Sequence, residues 1–125
     1  MANQIVWVDI PARDLDRAIK FYSAILGAQV RKESFPGMQI GVLPHAQDSV
    51  SGCVFVPAAE DKNQPSANGP LIYLNCDGRL DAAIAEVEKN GGKLLQSKHP
   101  IGPYGFRAIV TDSEGNRVAL HSQKA

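Results

Sequence analysis

The stretch LDRAIKFYSAILG (15–27) returns 65 residues later as LDAAIAEVEKNGG (80–92). Leu15, Asp16, Ala18, Ile19 and Gly27 recur as Leu80, Asp81, Ala83, Ile84 and Gly92. In the first copy Leu15, Ala18, Ile19, Tyr22, Ile25 and Leu26 follow the three-and-four spacing of one apolar helix face. Asp14 stands where a helix N-cap belongs, and Asp16 lies in the first turn, where negative charge is favoured. Gly27 suits the left-handed residue that ends a helix. The spacing predicts a helix over 15–26 and a second one starting at 80.

Each helix follows a run with strand character, Ile5–Val6–Trp7–Val8–Asp9–Ile10 and Leu71–Ile72–Tyr73–Leu74–Asn75–Cys76. Each is followed by three short candidate strands, near 28–34, 38–43 and 50–56 in the first half and near 93–97, 105–111 and 116–121 in the second. The order β-α-β-β-β therefore occurs twice, which reads as an internal duplication. The polar, proline-bearing PAAEDKNQPSANGP (57–70) separates the copies. Residues 1–57 form a first module, 58–69 a linker and 70–125 a second module, together one structural domain. The fold class is α+β, a mostly antiparallel sheet with two helices on one side. Its other face must be solvated or curl around a cavity.

Thirteen basic residues balance 13 acidic ones in 125, so bulk charge draws the chain to neither nucleic acid nor an anionic membrane. The longest early apolar run, Ile5–Val8, is too short for a signal peptide or a membrane span, which predicts a cytoplasmic protein. Cys53 and Cys76 are isolated and read as buried thiols rather than a disulfide.

Taken in order, WVDIPARDLDRAIKFYSAILGA (7–28), GPLIYLNCDGRLDAAIAEVEKNGGKLL (69–95) and YGFRAIVTDSEGNRVALHS (104–122) resemble the vicinal oxygen chelate superfamily. That group includes lactoylglutathione lyase, extradiol dioxygenases and bleomycin-resistance proteins, and the likeness is to its glyoxalase-related subgroup. The resemblance implies two modules side by side, an open eight-stranded half-barrel with the helices outside and a ligand in the concave face. In metal-using members the first and last strand of each module send a His or Glu into that hollow. By the same resemblance those positions fall on Trp7, Leu71 and Ala119, with Cys53 at or near the fourth. Trp7, Leu71 and Ala119 cannot bind a metal, and a lone Cys is not a site. His45, His99 and His121 lack ligand spacing. DSEG (112–115) lacks the alternating oxygen ligands of a calcium loop. No metal and no cofactor are expected.

Strand alternation assigns the faces. Val6, Val8 and Ile10 back onto helices, and so do Ile72, Leu74 and Cys76. Trp7, Asp9, Leu71, Tyr73, Asn75, Ala119 and His121 face inward, with Cys53 and Phe55 on the wall. The loop SKHPIGPYGF (97–106) reads as a cover that closes Tyr104 and Phe106 on a ligand, with Gly102 and Gly105 as hinges. Structural readings stand beside these. Trp7 could plug a core, Tyr73 could be a structural tyrosine, His121 could sit on a solvated rim, and Asp9 could be paired with Arg107 or Arg117.

The expected function is a metal-independent protein that binds a small, partly apolar organic molecule, acting as a lyase or isomerase through Asp9 as base and His121 as its proton partner. The alternative is a non-catalytic binding or drug-sequestering protein, and a metal-dependent lyase or dioxygenase is disfavoured by the missing ligands. In the family arrangement as read here, the last strand pairs antiparallel with the fifth, which brings Asp9 and His121 to the same end of the hollow. Relatives commonly cover their open edges with a second copy, which implies a homodimer.

Overall fold

The computed structural model describes residues 3–125. The first repeat folds as β1 (Trp7–Pro11), α1 (Leu15–Leu26), β2 (Arg31–Phe35), β3 (Met38–Val42) and β4 (Ser51–Phe55). The second folds as β5 (Ile72–Asn75), α2 (Leu80–Val87), β6 (Lys93–Pro100), β7 (Phe106–Thr111) and β8 (Arg117–Ser122). None of the described helices is long and apolar enough to cross a membrane.

Helix α1 has the expected ends. The Asp14 carboxylate accepts from the Arg17 amide at 3.1 Å, and Gly27 closes the helix at φ 66° with its N–H on Ser23 O. Helix α2 is shorter and runs into a 3₁₀ turn over Glu88–Asn90. Its left-handed residue is Gly91 at φ 96°, not Gly92. Gly92 serves a different need. A Cβ there would lie 2.3 Å from Thr111 O and 2.6 Å from Phe21 Cε1, so only glycine lets β6 start against the helix pair.

The strands form two four-stranded sheets, ordered β1-β4-β3-β2 and β5-β8-β7-β6, with β1 and β5 as edges and no pairing between the sheets. Strand β8 runs parallel to β5, as β4 does to β1, which corrects the antiparallel pairing expected for the fifth and last strands. Connection geometry explains it. A helical crossover returns the chain to the end where the strand began, and two hairpins then reverse it twice.

One face of each sheet packs on the helices. Ile10, Val54, Leu74, Val110, Val118 and Leu120 meet Phe21, Tyr22 and Ile25 of α1 and Leu80, Ala83 and Val87 of α2. Val8 and Ile72 pack against this core as expected. Val6 does not. It precedes β1 and is 72% exposed. The expected cover loop is largely strand, because β6 continues to Pro100 and pairs His99 with Arg107 and Pro100 with Phe106. Only 101–105 remains as a connection, including the 3₁₀ turn Gly102–Tyr104.

The two repeats are joined through the β7–β8 turn. Glu114 is buried, and its carboxylate accepts from the amides of Arg13 and Asp14 at 2.7 and 2.8 Å and from the Arg17 guanidinium at 2.7 Å. Asp112, also buried, accepts from the Tyr22 hydroxyl at 2.5 Å and from the amides of Glu114 and Asn116. Burial alone would raise the Glu114 carboxyl. Its hydrogen bonds from Arg17, Ser113, Asp14 and Arg13 outweigh this and hold it at about 2, below the ordinary 4.5. The Tyr22 hydroxyl is pushed well above its usual range by burial and by Asp112, so it stays a donor.

A carboxyl held below its unfolded value stabilises the fold fully above about pH 4.5 and loses that contribution as pH falls toward 2. Glu114→Ala, which leaves two part-buried backbone amides and the Arg17 guanidinium without their acceptor, is expected to cost about 3 kcal/mol by urea unfolding at pH 7. The difference from the parent should shrink as pH falls through that window. A Glu114→Ala protein as stable as the parent at neutral pH would show that the turn does not hold the halves together.

Candidate functional site

The concave side carries two cavities. The first, about 820 Å³, lies between the two repeats. Trp7 and Asp9 of β1 line it from one side, and Leu71, Tyr73 and Arg117 from the other, with Ile5 and Val50 at its margins. Linker residues Asn63, Gln64 and Ser66 complete the wall. Two bonds tie this stretch to the repeats, Asn63 Nδ2 to Asp9 O at 3.2 Å and Ser66 N to Asn116 Oδ1 at 3.1 Å.

Asp9 organises the polar part of this cavity. Its Oδ1 accepts from Trp7 Nε1 at 2.8 Å and from Cys53 Sγ at 3.4 Å. The indole is thereby held by a carboxylate two residues along the same strand, on the same face. Burial, reinforced by the hydrogen bond to Asp9, pushes the Cys53 thiol up to about 11, so it remains a protonated donor. Burial also pushes Cys76 up to about 11, and both cysteines are unpaired. Neither arginine pairs with Asp9. Arg107 bonds His99 and Tyr73 instead, and Arg117 bonds Gly69 O at 3.3 Å. The buried Arg117 Nε has no acceptor among the described residues.

The second cavity, about 510 Å³ and more open, is lined by Tyr73, Ile101, Tyr104, Arg107 and His121. Arg107 donates through Nε to His99 Nε2 at 3.0 Å and through Nη1 to the Tyr73 hydroxyl at 2.5 Å. His99 Nδ1 donates to Ser97 O at 2.8 Å, and His121 Nε2 donates to Tyr104 O at 2.6 Å. The Tyr73 and His121 rings meet edge to face at 6.1 Å.

Of the residues expected at one site, Trp7, Asp9, Leu71 and Tyr73 share the first cavity, while Tyr73, Tyr104 and His121 share the second. Asp9 and His121 are not brought together. Strand β8 starts beside Asn116, which bonds Pro11 O at 2.7 Å, and then runs parallel to β5 to place His121 beside Asn75. Moving along β1 to Asp9 approaches the Pro11 contact, whereas moving along β8 to His121 leaves it by roughly 16 Å at the strand rise. Cys53 and Phe55 are buried behind the first cavity and line neither. Ala119 is fully buried, in register between Tyr73 and Ile109. Asn75 accepts from the Asp77 amide at 2.9 Å and serves a turn. Phe106 packs on the helix-side core, not over a ligand, because it shares the face of Ala108 and Val110.

Sequence reasoning missed Arg107 and Ile101 as lining residues and the linker as a wall. Alternation within FRAIVT (106–111) carried the first signal, since it puts Arg107 opposite Phe106. Contacts made by the linker had no periodic signal.

The residues at the positions that the resemblance assigns to metal ligands do not fit a metal. Trp7, Leu71 and Ala119 offer no ligand atom, and the Cys53 thiol is held protonated. Among the described residues no three His, Cys, Asp or Glu side chains cluster as a metal site.

Comparison with known proteins agrees with this architecture. The family model of the Glyoxalase/Bleomycin resistance protein/Dioxygenase superfamily matches residues 4–120. A glyoxylase-like domain-containing protein of Didymella fabae is 32% identical, over 94% of this chain and 92% of its own length. A crystallised glyoxalase/bleomycin resistance protein of Albidiferax ferrireducens T118 superposes with a TM-score of 0.74 at 17% identity, over 96% of this chain and 98% of the other. Glyoxalase I of Zea mays superposes with a TM-score of 0.68 at 24% identity, over 94% of this chain but 45% of the maize chain. The two structural likenesses speak for the fold alone. With its paired β-α-β-β-β repeats and the family model spanning nearly its whole length, the chain belongs to the glyoxalase/bleomycin resistance/dioxygenase superfamily.

Proposed function

We propose that this protein binds a small, largely apolar organic molecule in the cavity between its two repeats, without a metal and without chemistry of its own. The observation that carries this reading is the lining. Ile5, Trp7, Val50, Leu71, Ile72 and Tyr73 surround a space large enough for a bicyclic ring system, with Asp9 and Arg117 as the charged groups. A lyase or isomerase reading needs a proton partner for Asp9. His121 lines the other cavity, and Asp9 Oδ1 is already occupied by the Trp7 and Cys53 donors. The binding reading therefore fits better than the catalytic one. The two unpaired cysteines suit a reducing, cytoplasmic setting.

A panel of neutral bicyclic aromatics, 2-naphthamide among them, tests this. Binding members should shift the emission of Trp7, the sole tryptophan, and should stabilise the fold by about 2.7 kcal/mol at a hundred times Kd. Leu71→Trp, which fills the cavity, should remove the stabilisation, and in the parent protein prior treatment with EDTA should change neither effect. A panel without a single Trp7 response, or binding abolished by the chelator, would overturn the reading.

The same surface supports a homodimer. Ile5, which lines the first cavity, and its neighbour Val6 are 66% and 72% exposed. Strands β2 and β6 also end their sheets with unpaired backbone edges. Sedimentation equilibrium at micromolar concentration should give twice the 13.4 kDa chain mass, and Val6→Lys should shift the population toward monomer. A parent protein that sediments as a monomer would contradict the dimer.

A further inference from the structure

We propose that the second cavity is a carboxylate-recognising site anchored by Arg107, flanked by the Tyr73 hydroxyl and His121. It concerns a cavity other than the one treated under Proposed function and stands independently of that reading.

The argument begins with the guanidinium. The ion pairs among the described residues use Arg17, Arg31, Lys32 and Lys98, and none uses Arg107. Arg107 is instead held by two uncharged acceptors, His99 Nε2 and the Tyr73 hydroxyl. His99 donates through Nδ1 to Ser97 O, so its Nε2 lone pair faces Arg107 and adds no charge. The guanidinium is thus fixed in position without being neutralised. Its Nη2 has no protein acceptor among the described residues, and the side chain lines an open cavity. A half-buried, immobilised arginine with free planar N–H groups is matched by an anionic acceptor.

The neighbours complete the site. The Tyr73 hydroxyl accepts from Arg107, which leaves its own proton for an acceptor in the cavity. His121 is oriented through Nε2 on Tyr104 O, and its Nδ1 has no protein partner among the described residues. Asp77 is tied to the Gln123 amide and the Ser122 hydroxyl and does not line the cavity. Arg107 is therefore the one permanent charge in the lining, which suits a monoanion better than a phosphate dianion. Ile101 and the exposed Tyr104 ring give an apolar rest for the body of a small aromatic or aliphatic acid.

Benzoate, benzamide and inorganic phosphate serve as probes, followed by calorimetry and by the Arg107 Nε–H resonance in a ¹⁵N spectrum. Benzoate should move that resonance and bind at least tenfold more tightly than benzamide and more tightly than phosphate. Arg107→Gln should lose at least tenfold in benzoate affinity, and Tyr73→Phe, which removes only the hydroxyl, several-fold. Both variants should keep the parent's melting temperature within a few degrees. The first-cavity variant Leu71→Trp should bind benzoate as the parent does. If benzamide matches benzoate, if Tyr73→Phe and Arg107→Gln leave benzoate binding unchanged, or if benzoate fails to bind at 10 mM, the carboxylate site is wrong. Tighter binding of phosphate than of benzoate would refute the choice of a carboxylate. Loss of benzoate binding in Leu71→Trp would place the anion in the first cavity and overturn the assignment to the second.

Discussion

The carboxylate of Glu114 holds the molecule's two repeats in one arrangement. It sits in a turn of the second repeat, yet its partners are the backbone at the start of α1 and the Arg17 side chain of the first. The amides of Arg13 and Asp14 belong to the start of a helix, where N–H groups lack intrahelical acceptors and the helix dipole favours negative charge. Asp14 caps the helix through Arg17 N, and Glu114 takes the amides of Arg13 and of Asp14 itself, just ahead of Leu15. A buried acid satisfied on all sides in this way tolerates little displacement, because any shift strands a charge away from water.

The same turn also builds the first cavity. Asn116 spends its side chain on both walls, donating to Pro11 O at the end of β1 and accepting from Ser66 N in the linker. Asp112 reaches across to Tyr22 in the middle of α1 and back to Asn116. One five-residue turn therefore fixes the end of β1, the path of the linker and the start of β8. All three contribute residues to the cavity. The site between the repeats is a consequence of how the repeats are locked together.

This explains what could be read from the sequence and what could not. Helix α1, its Asp14 cap and its Gly27 end were legible because each depends on neighbours within a few residues. The inward placement of Trp7, Asp9, Leu71 and Tyr73 was legible because alternation is a local property of strands. The direction of β8 relative to β5 was not, and the misreading of that one pairing is what joined Asp9 to His121. Parallel pairing depends on where the crossover helix delivers the chain, and no single residue records that. The burial of Asp112 and Glu114 has no local signal, since a D-S-E-G-N turn has the same signature whether or not a partner surface covers it. Their partners lie 90 to 101 positions away.

The floor of the hollow shows what a small apolar residue does to the concave face. Where metal-using relatives are expected to carry a carboxylate, this chain has Ala119. Its small side chain is fully buried, with Tyr73 on the neighbouring strand to one side and Ile109 to the other. A carboxylate there would need a cation or a donor to offset its burial, and methyl, phenol ring and aliphatic chain need neither. Ala119 therefore adds no polar group to the second sheet's inner face. What remains is space on either side of Tyr73, which lines both cavities. Its ring meets His121 edge to face and its hydroxyl is held by Arg107, while the same residue lines the space between the repeats. The hollow that the fold provides is thus divided by one tyrosine into a largely apolar compartment and one whose lining charge is Arg107.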